Sequence, residues 1–278
     1  MKVYISIDME GISGIVDWSQ VDFRKRPQEY EACRRLMVGD LNAAIEGVLE
    51  AGADEVVVAD SHGRMSNLPP EEVHEAAVLI RGSPPRPWLM MEGIDESFDA
   101  ALYVGYHSMK GTERGVLCHT ISGRVVDAIY INGVEMGEFG LNAALAGWHG
   151  VPSIFISGDQ AVVEEARRLV PNIRGAVVKW GVSRYAARCL HPAKARRLIR
   201  EKASEALKAL GEFKPFRVDE PVEVRMRFVT STMADVAALI PYAERVDGRT
   251  IRMTFEDYPT AFRGIRTAIA VAYPVEER

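Results

Sequence analysis

The stretch VYISIDMEGISG, residues 3–14, indicates the fold of the chain. Its first five residues form an apolar run without clean alternation, which is typical of a strand buried on both faces of a parallel sheet. Asp8 and Glu10 follow directly and lead into a glycine-containing turn. In open α/β sheets, ligands bind just beyond the carboxyl ends of the strands. Two carboxylates this close repel each other unless a cation or a proton lies between them. The turn is therefore a candidate metal site, and two solvated side chains in a surface turn are the alternative.

The same pattern recurs twice in the first half of the chain. Hydrophobic periodicity and breaker residues predict a helix at 29–51, strands at 56–59, 76–80 and 100–105, and a stiff proline-rich connection at 83–87. The strand at 56–59 runs into His62, and the strand at 100–105 leads to His107. Three apolar runs thus deliver candidate ligands at their carboxyl ends, which favours a binding site at one edge of a parallel sheet.

Two further candidates lie in the middle of the chain. The pattern predicts a hairpin of strands at 116–121 and 125–131, a turn at 132–133, a helix at 135–148, a strand at 154–157 and a helix at 161–169. His119 lies in the first strand of this hairpin, and Glu138 lies near the start of the first helix.

The sequence changes character beyond residue 171 and offers no further ligand candidates. It predicts a strand at 176–180, a helix at 192–210, a proline-bearing linker at 212–221, strands at 222–228 and 251–255, and helices at 234–239 and 259–271. We expect an α/β fold with a central, mostly parallel sheet flanked by helices and a smaller C-terminal α/β portion. The expected domains are a metal-binding catalytic domain at 1–171 and a portion at 172–278 that serves support or oligomerisation.

Composition and charge narrow the class of protein. Of the 278 residues, 47% are hydrophobic and 26% are charged, which is ordinary for a globular protein, and the net charge of −5 offers no footprint for nucleic acid. No apolar stretch approaches the ~20 residues that span a bilayer. The absence of a signal-peptide pattern predicts a cytoplasmic location. The three cysteines have no CxxC spacing, so we expect reduced, mostly structural thiols.

The candidate ligands are carboxylates and imidazoles, without thiolates. They are Asp8, Glu10, His62, His107, His119 and Glu138. This donor set suits zinc in a catalytic site, or manganese or cobalt. Five ligands with one shared carboxylate could hold two metals ~3.5–4 Å apart. Such a pair also suits a phosphoesterase, and Arg64, Lys110 and Arg114 keep that alternative open. A non-enzymatic sugar- or peptide-binding protein with a structural cation is the third possibility.

Five short motifs, taken in order, resemble a known family. They are SIDMEGISG (6–14), DSH (60–62), GYH (105–107), CHT (118–120) and the pair YING (130–133) and GEFGLN (137–142). Together they resemble the zinc-dependent D-aminopeptidase family of the dipeptide-transport operon type, over nearly the whole chain. The resemblance implies a metallo-aminopeptidase that hydrolyses short peptides with an N-terminal D-residue. It also implies two zinc ions per chain and a homo-oligomer, a decamer of stacked rings.

The resemblance also implies a role for each candidate residue. Asp8 would bridge the two zinc ions. Glu10 and His62 would complete one metal site, and His107 and Glu138 would complete the other. His119 would be the catalytic residue beside the metals, and its action as acid, base or charge stabiliser stays open.

Overall fold

The chain folds into two β-sheets with helices packed on them. The computed structural model describes residues 1–82 and 86–275. The strands are β1 (Lys2–Ile7), β2 (Glu55–Asp60), β3 (Ala77–Ile80), β4 (Ala100–Tyr106), β5 (Val126–Ile131), β6 (Val134–Glu135), β7 (Ser153–Asp159), β8 (Arg174–Ser183), β9 (Ala186–Cys189), β10 (Val222–Phe228), β11 (Glu244–Arg245) and β12 (Thr250–Phe255). The helices are α1 (Trp18–Val21), α2 (Pro27–Glu50), α3 (Glu138–Trp148), α4 (Gln160–Leu169), α5 (Pro192–Lys208), α6 (Ser231–Ala237) and α7 (Tyr258–Ala272).

The larger sheet has seven strands in the order β3-β2-β1-β4-β7-β8-β9. Every neighbouring pair is parallel except β8 and β9 at the edge. The carboxyl ends of β1, β2, β4 and β7 therefore lie side by side at one edge of the sheet. Both faces are covered: Val3 and Ile5 of β1 pack in one hydrophobic cluster with α2 and α5. Tyr4 between them packs in the other cluster with α3 and α4.

The smaller sheet is antiparallel, with five strands in the order β11-β12-β10-β5-β6. Helices α6 and α7 pack on it, and α7 also contacts α3. Strands β5 and β6 form a tight hairpin whose turn residues, Asn132 and Gly133, both have positive φ. This hairpin leads into α3, so the smaller sheet fixes where α3 begins.

The α/β class and the mostly parallel sheet flanked by helices are confirmed. One predicted element is wrong: residues 116–121 form turns and not a hairpin strand, and β5 pairs with β6 and β10 instead. Leu117 and Ile121 both have positive φ, which a strand does not accommodate. The segment curls because Ile121 N donates to Glu138 Oε1 at 2.7 Å, and this bond replaces ladder pairing.

Three other sequence expectations concern the domain boundary, the proline-rich connection and membrane-spanning segments. The expected boundary at residue 171 does not coincide with the division between the sheets, because β8 and β9 join the larger sheet and β5 and β6 the smaller one. Residues 83–85 of the predicted proline-rich connection at 83–87 lie outside the described residues. Within the described part of the chain, every helix is too short or too polar to cross a bilayer.

Candidate metal centre

All six candidate residues meet at the carboxyl edge of the larger sheet. Asp8 and Glu10 follow β1, His62 follows β2, and His107 follows β4 directly. Glu138 is the first residue of α3, and His119 lies in the irregular segment before β5. Asp8, Glu10, His107 and Glu138 are buried. The side chains of His62 and His119 keep 11% and 13% of their surface exposed, so solvent reaches the centre from their side.

His107 has one nitrogen that is held and one that is free. Its Nδ1 lies 3.0 Å from the carbonyl oxygen of Ser108, which can only accept a hydrogen bond, so Nδ1 carries the proton. Its Nε2 lies 3.3 Å from Asp8 Oδ2 and 3.3 Å from Glu138 Oε2. This buried Nε2 has no hydrogen-bond partner in the described structure. The lone pair of Nε2 and the two carboxylate oxygens together form a site that suits a cation.

His62 repeats this arrangement on the other side of Asp8. Its Nε2 donates to the carbonyl oxygen of Val21 at 2.9 Å. Its Nδ1 lies 2.9 Å from Glu10 Oε2 and 3.2 Å from Asp8 Oδ1. Asp8 therefore presents one oxygen to each histidine, as a carboxylate that bridges two metals would.

The electrostatics of the centre call for positive charge. Burial lowers the pKa of His107, but the Glu138 and Asp8 carboxylates outweigh it and raise that pKa well above its ordinary value. Burial likewise lowers the pKa of His62, and Glu10 and Asp8 reverse the effect. Burial raises the pKa of Asp8, yet the adjacent His107 and His62 hold it well below its usual range. The raised pKa values mean that the two histidines bind protons readily, and a metal cation would balance the carboxylate charge in place of those protons.

The donor atoms also lie close enough together to share cations. One group consists of Asp8, Glu10 and His107, and a second of His107, His119 and Glu138; in each, the donor atoms lie within 4.8 Å of one another. Buried imidazole and carboxylate donors without thiolate fit zinc in a catalytic site. The residues present therefore fit the expected metal.

His119 lies beside this centre. Its Nδ1 donates to the carbonyl oxygen of Leu117 at 2.9 Å, which leaves Nε2 as an acceptor. Nε2 lies 3.8 Å from Glu138 Oε1, an oxygen that already accepts from Ile121 N. The ring stacks on His107, with centroids 4.0 Å apart and planes 11° apart. Burial and the neighbouring His107 lower the pKa of His119, so a neutral imidazole is favoured.

Sequence reasoning missed Lys179, which holds the turn that carries Glu10. Its side chain is fully buried, and its Nζ donates to the carbonyl oxygens of Glu10, Ile12 and Ile15, the last two at 3.0 and 2.6 Å. Burial lowers the pKa of Lys179 to about 8. The available signal was a lysine inside the apolar run AVVKW at 176–180.

Gly11 in the same turn is required by its surroundings. Its backbone N donates to the carbonyl oxygen of Gly105 at 2.8 Å. A Cβ at this position would lie 2.0 Å from the carbonyl oxygen of Tyr106. Only glycine lets the turn after β1 approach the end of β4 so closely, and this approach brings Asp8 to His107.

Three comparisons relate this chain to known peptidases. The profile of the D-aminopeptidase family, peptidase family M55, matches residues 1–267. The chain is 41% identical over 251 residues to a D-aminopeptidase of Bacillus subtilis (strain 168), covering 90% of this chain and 89% of that protein. It is also similar to the solved structure of the Zn-dependent D-aminopeptidase DppA from Bacillus subtilis, which is described as a self-compartmentalizing protease. The TM-score is 0.96 at 37% identity, over 100% of both chains. The chain therefore belongs to the D-aminopeptidase family of peptidases.

Proposed function

We propose that this protein is a dinuclear zinc aminopeptidase that releases N-terminal D-residues from short peptides. The observation that carries the proposal is the position of the Asp8 carboxylate, which presents one oxygen to His62 and the other to His107. Membership of the D-aminopeptidase family supports the reaction, and the Zn-dependence of the Bacillus subtilis relative supports the metal.

In this proposal the residues divide into two sets around Asp8. Glu10 and His62, together with Asp8, would hold one zinc ion. His107 and Glu138, together with Asp8, would hold the other. The carbonyl groups of Val21 and Ser108 fix the tautomers of His62 and His107, so that each ring presents an unprotonated nitrogen. When bound, a zinc pair supplies an activated water and polarises the scissile carbonyl.

His119 is the proposed proton carrier of the reaction. Its lowered pKa keeps the ring neutral, and its hydrogen bond to Leu117 O leaves Nε2 free to accept a proton. Nε2 takes a proton from the attacking water and returns it to the amine that departs from the peptide. A positioned acid–base group of this kind typically contributes ~10²–10⁴ in rate.

The phosphoesterase alternative depends on cationic side chains that lie near the candidate ligands and could bind a phosphate group. Lys110 Nζ instead donates to the carbonyl oxygens of Gly123 and Val126 and lies 3.6 Å from Asp127. Arg64 lies over the ring of Phe23. Arg114 lies 3.8 Å from the neighbouring Glu113. None of the three cations named for the phosphoesterase alternative thus supports it, and membership of the D-aminopeptidase family favours peptide hydrolysis.

A paired assay tests the proposed function. Dipeptides that differ only in the configuration of the first alanine, D or L, are offered to protein purified without chelator, alongside a generic phosphodiester. We expect hydrolysis of the D-peptide, its loss after chelation, its return with zinc, and close to two zinc equivalents per chain by elemental analysis. A metal-free preparation with full activity, or cleavage of the phosphodiester alone, would overturn the proposal.

We also propose that the chain assembles into a decamer of stacked rings that admits only short peptides. The description of the Bacillus subtilis relative as self-compartmentalizing supports a closed assembly. Exposed apolar side chains on the C-terminal part of this chain support an interface there: Leu239, Tyr242 and Val246 are 79%, 51% and 50% exposed. Three unpaired cysteines support the cytoplasmic location.

A further inference from the structure

A cavity of about 420 Å³ opens beside His119. Three cationic residues, Lys25, Arg124 and Arg184, line it together with His119, and none of the described residues that line it is acidic. The cations come from distant parts of the chain: the segment after α1, the turn before β5 and the turn between β8 and β9. The fold therefore brings three positive charges to the cavity beside His119, on the side of the candidate centre that solvent reaches.

None of these three cations has a carboxylate partner within ion-pair distance in the described structure. Some other arginines of the described chain do form ion pairs, for example Arg174 with Glu212 and Arg200 with Glu46. Residues 1–82 and 86–275 thus supply no ion-pair partner for the positive charge that lines the cavity. A cleft lined by one sign of charge raises the local concentration of a ligand of the opposite sign.

Aromatic rings support the two guanidinium groups. Arg184 lies over the ring of Tyr185 and donates to the carbonyl oxygen of Cys118, the neighbour of His119, at 3.0 Å. Arg124 lies over the ring of Tyr273, 5.4 Å from its centroid. These contacts restrain the charges at the cavity and reduce the entropy that is lost when they bind an anion.

We infer that this cavity binds the C-terminal carboxylate of the peptide substrate and so selects very short peptides. The inference rests on the proposed peptidase function. His119 acts at the scissile bond, and each residue beyond that bond spans at most about 3.6 Å. In a dipeptide or tripeptide the carboxylate therefore falls within the cavity, whereas in a longer peptide it lies outside. The same positive charge repels the N-terminal ammonium group, which fixes the direction in which the peptide binds.

The test compares two substrates that differ only in this charge, D-Ala-Gly and D-Ala-glycinamide. We expect kcat/KM for the carboxylate to exceed that for the amide by about 10- to 100-fold, the effect of hydrogen bonds between charged groups. The difference should lie mainly in KM, because the carboxylate is bound equally before and during reaction. Added salt should raise KM for the carboxylate only, since it screens exposed charges.

Variants then assign the effect to the cavity. Lys25→Met and Arg124→Met should each shrink the ratio of kcat/KM between the two substrates, and Arg124→Lys should keep part of it. Lys202→Met is the matched control, because this half-buried lysine on α5 lies outside the cavity, pairs with Glu205 and should leave the ratio unchanged. Melting temperature and zinc content of each variant show that it is folded and loaded.

The outcomes separate the inference from the function on which it rests. Equal kcat/KM for the two substrates in the wild type overturns the inference and leaves the peptidase standing. A preference that is undiminished in Lys25→Met, in Arg124→Met and in a third variant, Arg184→Met, also overturns it, because a group outside the cavity then binds the carboxylate. Failure to hydrolyse either substrate with zinc bound overturns the proposed function, and the inference with it.

Discussion

At the scale of single residues, the tautomers of the histidines determine which ring nitrogens face the candidate metal centre. A backbone carbonyl accepts from one nitrogen of each of His62, His107 and His119, and the other nitrogen faces a carboxylate. A neutral imidazole has only one proton to give, so each of these carbonyl groups settles the chemistry of the opposite nitrogen.

Asp8 is the residue on which both proposed metal positions depend. We expect Asp8→Ala to bring zinc well below one equivalent per chain and to abolish activity, because each histidine loses one of the two carboxylates that face it and both positions are affected at once. His62→Ala should mainly weaken one position and keep close to one equivalent. Elemental analysis after dialysis against metal-free buffer measures both. Two retained equivalents in Asp8→Ala would contradict the bridging role; Asp235→Ala, an exposed aspartate paired with Arg245, is the control.

His119 separates catalysis from metal binding. We expect His119→Ala to lose ~10²–10⁴ in kcat while it keeps two zinc equivalents and a melting temperature near that of the wild type. The physical reason is that its Nε2 faces an oxygen of Glu138 already bound to Ile121 N, and so lies beside the metals. Loss of zinc together with activity would make His119 a ligand. A lowered melting temperature with little change in turnover would make it structural.

At the scale of elements, β8 holds the loop that leaves β1. Lys179 on β8 donates to three carbonyl groups of the turn after Asp8, and Ser13 in the same turn donates to Leu190 O at 2.6 Å. The position of Glu10 therefore depends on a strand far away in the sequence.

Lys179→Met tests this support. The substitution keeps the length of the side chain but leaves buried carbonyl groups without a donor, at about 1–3 kcal/mol for an unsatisfied group. We expect a lower melting temperature and zinc affinity or kcat/KM reduced about 10- to 100-fold, as when a group that orients a metal ligand is removed. Zinc titration at a temperature where the variant is folded distinguishes this from simple instability. Full zinc affinity in the folded variant would contradict the role.

The buried Asp40 on α2 should make the free energy of unfolding depend on pH. Burial raises the pKa of Asp40 to about 7, and Arg196, 3.8 Å away, offsets this only in part. The folded state therefore holds this proton up to about pH 7 and the unfolded state only up to about pH 4, so this group makes stability fall as pH rises between them.

Asp40→Asn removes that pH dependence while keeping an acceptor oxygen. We expect the variant to melt a few degrees above the wild type at pH 8, and the difference to shrink progressively below pH 7. Calorimetry of both proteins across this range measures the difference directly, and other titrating groups cancel in the comparison. A difference that is the same at pH 5 and pH 8 would contradict the assignment.

At the scale of the whole molecule, the proposed assembly decides which peptides reach the centre. We expect sedimentation to give about ten times the 30.8 kDa mass of one chain, independent of concentration over the range of the assay. Because a closed chamber excludes long chains, an unfolded protein should be cleaved far more slowly than a dipeptide. A sedimentation mass of one chain would contradict the assembly. Leu239→Glu should weaken it, because the substitution puts a charge at an exposed apolar position that follows α6.

The sequence by itself determined the larger sheet and most of the centre. Strands buried on both faces must be apolar throughout, and a parallel sheet brings its carboxyl ends to one edge. Asp8, Glu10, His62 and His107 could therefore be predicted to meet from the ends of three apolar runs. The motif resemblance added the family and the separate role of His119, and the family is confirmed.

Only the tertiary structure decided what depends on contacts between distant segments. Local alternation predicts a strand at 116–121, but a strand needs a partner, and Ile121 meets the side chain of Glu138 instead. The apolar run around Lys179 indicates that it is buried, but only the fold shows that its partner is the carbonyl group of Glu10, 169 residues away. The cations beside His119 likewise come from three separate turns. Periodicity records which face of an element is buried, whereas these contacts depend on which elements pack together.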